Sequence, residues 1–488
     1  MLAHLSRFSL YAVLLLAAGA ASAASTFNPD KAKADAAILV QALNTLHPAL
    51  DKYRTPAEVK AAMDRFQARA GAARTPGEMY LAATELAASV RCGHTWTNVL
   101  NQQGPARRQI LEGADKLPLI FTLVEGRWLV LGSAVPDVAV GDEIVTIDGR
   151  SAAQIVAAMM PYLRADGSSD GKRLRQLGHD RPDYSMMDIV WPLLSPPAGG
   201  TYRLEIRDSK GSVRKVAAKA MTLAARDAAL AAQPVPGKSE AWTFRVDGER
   251  AVMTLPTFAV QRSKFNWQRF FVEAFDELKR KQVQNLIIDI RDNEGGDGAI
   301  ALDLLSYLVK APATYVADQS VTTYEKIPAT LVGYLDTWDT GFYDRSGNVD
   351  RITEGPQAGR YRFRPKANKV SDISPRATRF NGKVWLLVGP ENSSATFALA
   401  KLAKQLGVAT LVGQPTGGNE RGLNAGQLAW VNLPNSGVAV DIPLLAQSYT
   451  ASTPDASITP DIVVERRFAA RAAGQDQEME AVELAMKH

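Results

Sequence analysis

From about residue 240 onward the chain alternates short apolar runs with amphipathic segments, and this alternation leaves few folds open to it. The apolar runs have the length of buried strands, and they are Val252–Leu255, Asn285–Ile290, Lys383–Val388 and Thr410–Val412. The segments with helical periodicity are Phe265–Lys281, Gly298–Leu308 and Ser394–Leu406. Strands and helices that alternate in this way form layered α/β domains. We therefore predict one such domain over residues 239–488.

The first half of the chain has a different pattern, and 488 residues exceed what one hydrophobic core usually holds. Residues 24–105 have apolar side chains at helical spacing and are predicted to form a helical leader domain, with Pro48 ending its first helix. Residues 106–223 contain short β-runs around an irregular insertion, 168–200, rich in Gly, Pro and Asp. Residues 224–238, rich in Ala and Pro, are the predicted linker.

The N-terminus is typical of a secretory signal peptide over residues 1–23. Arg7 precedes an apolar run, Tyr11–Ala18, and Ala21-Ser22-Ala23 provides a small-residue cleavage site. No later stretch reaches the ~18 apolar residues that a membrane-spanning helix needs. We therefore predict export, to the periplasm or the medium, with no membrane span after cleavage. An uncleaved anchor is the alternative.

Composition excludes several classes of site. The basic residues are scattered and the net charge is only +5, which does not provide the basic stripe of a nucleic-acid groove. Cys92 is the only cysteine, so the chain has no internal disulfide and no cysteine-based zinc site. The histidines show no metal-binding spacing. We predict no nucleic-acid partner, no metal site and no cofactor.

An apolar strand, Leu286–Ile290, runs directly into a polar turn that ends at Gly295 and Gly296. Paired glycines let the backbone turn sharply and bring its N–H groups close to a ligand. That construction suits an oxyanion hole, the set of N–H donors that stabilises a negatively charged tetrahedral intermediate. An ordinary strand-to-helix turn is the alternative.

A second strand, Val384–Gly389, is followed by Pro390–Ala395 and then by a helix, so Ser394 lies where a strand turns into a helix. The N-terminus of a helix presents free N–H groups and partial positive charge, which favour a developing oxyanion. These properties make Ser394 a candidate nucleophile. The alternative is that Ser393 or Ser394 only caps the helix.

Together these segments resemble the tail-specific (C-terminal processing and tricorn-core) peptidase family. Its members pair a strand ending in D-x-R-x-N-x-G-G with a later strand–Ser-Ala–helix unit, here Asp289–Gly296 and Ser394-Ala395. Two further stretches match the family in order, Val412–Asn419 and Ile458–Ile462.

The resemblance extends upstream. Gly141–Gly149 resembles a strand of a PDZ-like module, while Leu46-His47-Pro48 and Gly93-His94-Thr95 resemble the helical leader of the tricorn-like branch. The family likeness therefore implies a multidomain α/β protein. Its parts are a crotonase-like α/β catalytic core, a helical N-terminal leader and a PDZ-like β-rich module.

The resemblance also implies a choice between two general bases. In the processing branch the base is a lysine just after the T-x-G motif, where this chain has Asn419. In the tricorn-like branch the base is a leader histidine that follows a glycine, which matches His94. The Ser–His mechanism is therefore favoured. The chain departs from the family at Cys92, where an acidic residue is common, and at Phe397, where many members have Glu.

A triad requires a third group to orient the base. In the tricorn-like branch it falls shortly before Pro460-Asp461, and Asp455 is the only carboxylate in residues 450–459. His47 is favoured as a packing residue, and His179 is a reserve candidate for the base. Two S-x-x-K matches, at 169–172 and 212–215, lack a downstream K-T-G and are interpreted as chance.

These features predict an exported serine endopeptidase that cleaves peptide bonds of peptide or protein substrates. Ser394 attacks the carbonyl carbon and His94 takes its proton, while the N–H groups of Ala395 and of Gly295 or Gly296 hold the oxyanion. The alternatives are a non-catalytic peptide- or ligand-binding protein on the same fold, or a serine esterase. No pattern in the sequence specifies an oligomeric state, a cleavage specificity, a preference for C-terminal tails or the role of the PDZ-like region.

Overall fold

The fold is taken from a computed structural model, which describes residues 27–181, 183–233, 241–261, 263–315, 320–355, 357–364, 371–450 and 452–487. The predicted signal peptide, residues 1–23, lies outside this described part. Within it, no helix is both long enough and apolar enough to span a membrane.

The first part of the described chain is helical, and its last helix crosses the boundary predicted at residue 105. Its helices are α1 (Pro29–Leu46), α2 (Pro56–Ala72), α3 (Pro76–Ser89) and α4 (Gly104–Leu111). Thr55 and Thr75 cap α2 and α3, each exchanging hydrogen bonds with a glutamate three residues later. The first helix ends at Leu46, just before Pro48, which cannot continue a helix without losing a hydrogen bond.

The central region is an antiparallel sheet with several short helices. Its elements are β1 (Leu119–Val124), β2 (Arg127–Ser133), β3 (Glu143–Ile147), β4 (Arg150–Ser151), α5 (Ala152–Met159), α6 (Asp170–Arg175), α7 (Met186–Ile189), α8 (Trp191–Leu194), β5 (Thr201–Arg207), β6 (Val213–Lys219) and α9 (Leu223–Ala229). The strand order is β1-β2-β3-β5-β6, with β4 paired to β3. One hydrophobic core joins this sheet to the leader helices.

Two segments of the central region differ from the sequence-based prediction. The insertion at 168–200, predicted to be irregular, contains the short helices α6, α7 and α8 and is largely buried. The predicted linker, 224–238, begins inside α9, where the buried Arg226 donates two hydrogen bonds to the Asp188 carboxylate, at 2.7 and 2.6 Å. Residues 224–229 are thus anchored helix, and residues 234–238 lie outside the described part. An Ala-rich composition did not distinguish a helix from a linker.

The second half begins with β7 (Thr243–Asp247), β8 (Arg250–Thr254), α10 (Trp267–Arg280), β9 (Asn285–Asp289) and α11 (Gly298–Ser306). An excursion follows, with β10 (Ala313–Tyr315), β11 (Ser320–Thr322), α12 (Ala329–Val332), β12 (Leu335–Asp336), β13 (Val349–Arg351), β14 (Tyr361–Phe363) and β15 (Ser371–Ile373). The chain ends with β16 (Lys383–Val388), α13 (Ser394–Gln405), β17 (Thr410–Gly413), β18 (Leu428–Asn432), β19 (Ala439–Pro443), β20 (Ala446–Gln447), β21 (Ile462–Val463), α14 (Phe468–Ala472) and α15 (Gln477–Ala485).

The main sheet of this half has the order β21-β17-β16-β9-β8-β7. All its pairs are parallel except β7 with β8. Helices α10, α11 and α13 contribute apolar side chains to the core against it. The mixed α/β, multidomain prediction is therefore confirmed. Because β9 and β16 are parallel neighbours, the two polar turns that follow them lie side by side.

Candidate active site

The turn after β16 is held by one buried asparagine. Asn392 accepts a hydrogen bond from the Gly389 N–H, 2.8 Å away, and its own amide donates to the carbonyl of Asn293, 3.0 Å away. Thr396 Oγ1 donates to the same carbonyl at 2.9 Å. The nucleophile turn and the glycine turn are therefore fixed against each other by buried polar contacts, which are stronger in a low-dielectric interior than in water.

Ser394 has a strained backbone. Its φ is +53°, a left-handed conformation that costs a residue with a Cβ roughly 1–2 kcal/mol. Its side chain is partly exposed, and its hydroxyl makes no hydrogen bond to any residue that the structure describes. Strain of this kind persists only where the surrounding structure imposes it, and it is concentrated at functional sites. A strained serine between strand and helix, with a free hydroxyl, is the geometry of a nucleophile elbow.

Ser393 has a different environment. It is buried, accepts a hydrogen bond from Lys172 Nζ at 2.6 Å and donates one to the Glu294 carbonyl at 3.0 Å. It occupies the N-cap position of α13, yet its side chain does not bond the first N–H groups of the helix. The helix-cap interpretation is therefore wrong for Ser393, whose hydroxyl joins two turns instead.

The glycine turn lies directly against Ser394. Gly295 and Gly296 have φ values of +120° and +134°, which side-chain-bearing residues rarely adopt. A Cβ on Gly295 would lie 2.8 Å from Ser394 Cβ, and one on Gly296 would overlap the backbone of Phe258. Neither position has room for a side chain, because neighbouring atoms lie too close to the Cα of each glycine.

The N–H groups of the turn are not equivalent. Gly295 N–H donates to Asn293 Oδ1 at 2.9 Å, so it is already engaged. The N–H groups of Gly296 and Ala395 have no acceptor within the described part of the chain. Of the three predicted oxyanion donors, Gly296 and Ala395 are therefore the two that remain available.

His94 lies in a tight loop after α3. The N–H of Gly93 donates to Asp166 Oδ1 at 2.8 Å, and Arg164 donates to the Gly93 carbonyl. The His94 Nδ1 is buried without a partner, and neither ring nitrogen hydrogen-bonds a residue that the structure describes. The loop is fixed on both sides, while the ring itself is not.

The charge state of His94 is set mainly by burial, which lowers its pKa below the usual 6.5. Asp166 and Glu294 act in the opposite direction and raise the pKa, while Arg164 and Lys172 lower it further. The net effect is a lowered pKa, so the imidazole is neutral near pH 7 and able to accept a proton.

A chain of charged groups connects the His94 loop to the nucleophile turn. Arg164 and Lys172 both donate to Glu294 Oε1, each at 2.7 Å, and Lys172 also donates to Ser393. Burial would raise the pKa of Glu294, but Arg164 and Lys172 hold it well below 4.5, so this carboxylate is ionised. Sequence reasoning missed both basic residues because they come from an irregular segment; Lys172 appeared there only in a chance S-x-x-K match.

Asp455 does not contact His94 in this structure. Its Oδ1 accepts from Asn419 Nδ2 at 2.7 Å and from the Ser168 N–H at 2.8 Å. The carboxylates that act on the pKa of His94 are Asp166 and Glu294. The structure therefore does not bring Asp455 to the base that it was predicted to orient.

The other histidines considered are structural. His47 Nδ1 accepts the Ala49 N–H at 3.2 Å, its Nε2 bonds Thr95 Oγ1 at 2.9 Å, and burial lowers its pKa to about 3. His179 is buried, with Nε2 3.2 Å from an Asp188 carboxylate oxygen. Among the described residues, no group of His, Cys, Asp and Glu side chains is arranged to hold a metal ion.

Comparison with known proteins identifies the class. The model of peptidase family S41 matches residues 250–464, which contain both the glycine turn and Ser394. Over these residues the predicted resemblance to a family of serine-type peptidases is confirmed. A comparison with curated proteins finds no match.

Two solved structures share the fold over nearly the whole chain. The structure of mature CPAF complexed with lactacystin is 15% identical, with 94% of this chain and 97% of that chain covered and a TM-score of 0.63. A second structure of mature CPAF is 15% identical, with 93% and 96% covered and a TM-score of 0.61. At this identity the likeness establishes a shared fold, which includes the leader and the central region.

Proposed function

We propose that the protein is a serine endopeptidase that forms an acyl-enzyme on Ser394 with His94 as general base. One observation carries the proposal: Ser394 is held at φ +53° on a strand-to-helix turn, with its hydroxyl unpaired and against the Gly295–Gly296 turn. A helix-capping serine needs no such strain.

The reaction follows from the positions of these groups. Ser394 Oγ attacks the peptide carbonyl carbon while its proton passes to the neutral imidazole of His94. The carbonyl oxygen becomes an oxyanion held by the N–H groups of Gly296 and Ala395. The C–N bond then breaks, the amine leaves with the proton from His94, and water hydrolyses the acyl-enzyme by the same steps.

His94 and Ser394 are not hydrogen-bonded to each other among the described contacts, so the proposal requires the ring to reorient when substrate binds. Catalytic hydrogen bonds are often long before the substrate complex forms. The Arg164–Glu294–Lys172 chain supports this step because it ties the His94 loop to the turn that carries Ser394.

A fluorophosphonate probe tests the nucleophile, because it reacts with activated serines. Peptide mapping should find the probe on Ser394, and Ser394→Ala should abolish both labelling and peptide hydrolysis. Ser393→Ala is the matched control and should still be labelled. Probe on Ser393, or a wild-type chain that is never labelled, would contradict the proposal, and the second result would favour a non-catalytic binding protein. Comparing short ester with peptide substrates separates a peptidase from an esterase.

The remaining sequence-based predictions fit the same function. We propose that the main sheet with its helices is a crotonase-like core and that the central sheet is a PDZ-like module. We also propose export through the signal peptide at residues 1–23, with peptides or proteins outside the cytoplasm as substrates. N-terminal sequencing of the protein recovered from the host's medium or periplasm tests this, since a mature chain beginning near residue 24 is expected.

A further inference from the structure

The buried carboxylate of Asp166 has one oxygen that accepts a hydrogen bond and one that has no hydrogen-bond partner in the described structure. The side chain is 1% exposed, and Oδ1 accepts the Gly93 N–H at 2.8 Å. Its Oδ2 is buried without a hydrogen-bond partner in the described structure. Buried polar atoms in native proteins are nearly always paired, so an unpaired carboxylate oxygen suggests a partner acquired in another state.

The neighbouring residue offers that partner. His94 Nδ1 is also buried and unpaired, and His94 directly follows the glycine that Asp166 holds. A Cβ on Gly93 would lie 2.9 Å from Asp166 Oδ2, so this oxygen lies beside the backbone from which the imidazole extends. An unpaired acceptor therefore lies beside the loop that carries an unpaired ring nitrogen.

We propose that Asp166 is the positioning carboxylate of His94, with Oδ2 accepting the proton on Nδ1 so that Nε2 faces Ser394 as the base. This inference rests on the proposed function, and it assigns the third group to Asp166 instead of Asp455. Asp455 Oδ1 is already bonded to Asn419 and to the Ser168 N–H. Asp166 does not itself exchange a proton in this scheme; it fixes the tautomer and stabilises the imidazolium that forms.

The charged groups around His94 decide what removing this carboxylate does. Asp166 and Glu294 raise the pKa of His94, and Arg164 and Lys172 lower it. Asp166→Asn leaves Glu294 to act against the two cations Arg164 and Lys172, so the pKa of His94 falls further. The pH at which reactivity begins to rise should therefore move downwards. Asparagine retains an oxygen that can accept the Gly93 N–H, so the loop is expected to keep its fold.

The test measures fluorophosphonate labelling of the mature full-length chain against pH and against probe concentration. Asp166→Asn should lower the labelling rate at saturating probe by about 10²-fold or more, with little change in the half-saturating concentration. The acid limb of its pH profile, where the labelling rate rises with pH, should move to lower pH. Asp170→Asn is the matched control, because it removes the same charge from the same segment at a side chain that is 66% exposed. It should retain wild-type rate and pH profile.

Three outcomes overturn the inference without touching the proposed function. One is Asp166→Asn labelled at the wild-type rate, the second is an unmoved acid limb, and the third is Asp455→Asn giving the loss and the shift instead. If Asp166→Asn does not fold, ¹⁵N spectra of histidine-labelled wild type show which ring nitrogen of His94 carries the proton. The signal of His94 is identified by its absence from the His94→Ala spectrum. A proton on Nδ1, in the free chain or in the fluorophosphonate adduct, supports the inference, and a neutral ring with its proton on Nε2 in both overturns it. A wild-type chain that is never labelled refutes the proposed function itself.

Discussion

Replacing the strained serine with glycine should stabilise the protein while inactivating it. Ser394 has a φ of +53°, and its hydroxyl has no hydrogen-bond partner among the described residues, so removing it breaks no bond in the folded state. A left-handed residue with a Cβ costs roughly 1–2 kcal/mol, which glycine avoids. Glycine also lowers the free energy of unfolding by about 0.4–1 kcal/mol, because it gives the unfolded chain more conformational freedom. The expected net gain of Ser394→Gly over Ser394→Ala therefore lies between about 0 and 1.6 kcal/mol, with the mid-values giving about 0.8 kcal/mol.

The assay is urea unfolding of both variants, followed by the fluorescence of tryptophans such as Trp385 in β16, which is 1% exposed. Ser394→Ala keeps the Cβ and should match wild type within about 0.5 kcal/mol. Ser393→Gly is the control, since Ser393 has a φ of −135° and two side-chain hydrogen bonds, and it should lose stability. A Ser394→Gly protein no more stable than Ser394→Ala would refute the strain argument and weaken the case for an imposed nucleophile geometry.

Three further predictions concern the base. Because burial lowers the pKa of His94, kcat/KM for a peptide substrate should rise with pH through one ionisation below 6.5, and His94→Ala should remove that limb and most of the rate. Lys172→Met removes a cation that lowers the pKa of His94, so the limb should move to higher pH and kcat should fall; an unchanged profile would show that Lys172 only packs. Asn419→Lys should not rescue His94→Ala, because an amine placed beside Asp455 would be ion-paired and protonated, and recovered activity would contradict this.

The glycine turn shows where the structure changes an expectation. Gly296→Val would be expected from the sequence to cost activity far more than stability, because only an N–H donor is disturbed. The structure places the Gly296 Cα against the backbone of Phe258, with no room for a Cβ. Any side chain there must displace a buried strand connection, so loss of activity would come with loss of folding. The available N–H groups are better tested by substrate analogues than by substitution at this glycine.

The sequence predicted the core of the site because local pattern encodes it. Apolar runs of strand length, paired glycines and a serine at the start of a helix are short-range signals, and in the structure Ser394 and Gly295–Gly296 lie on adjacent turns. The strain at Ser394 was not predictable, since a serine in this position more often caps the helix. Only the backbone geometry distinguishes the two interpretations.

The surroundings of His94 could not be predicted in the same way. Arg164, Asp166 and Lys172 come from an irregular segment with no periodicity, and they reach partners more than 70 residues away in sequence, at Gly93, Glu294 and Ser393. Contacts of this kind depend on how the leader, the central region and the α/β core pack together, which a local sequence pattern does not predict. Asp455 was chosen from its place in a family motif, and that motif fixes a position in the chain rather than a contact.

The site is therefore a property of the docked assembly and not of the α/β core alone. The leader supplies His94, the central region supplies Arg164, Asp166 and Lys172, and the core supplies Ser394 with its glycine turn. The leader, the central region and strands β18 and β19 share one hydrophobic core, whereas the turn that carries Ser394 lies on the core of the main sheet. The two are joined at the site through Glu294, whose carboxylate accepts from both Arg164 and Lys172. Lys172 is buried in this joint, and a buried ion left without its partner is costly, so the joint depends on Glu294 being present. Docking of the central region therefore also sets where the His94 loop lies relative to the turn that carries Ser394.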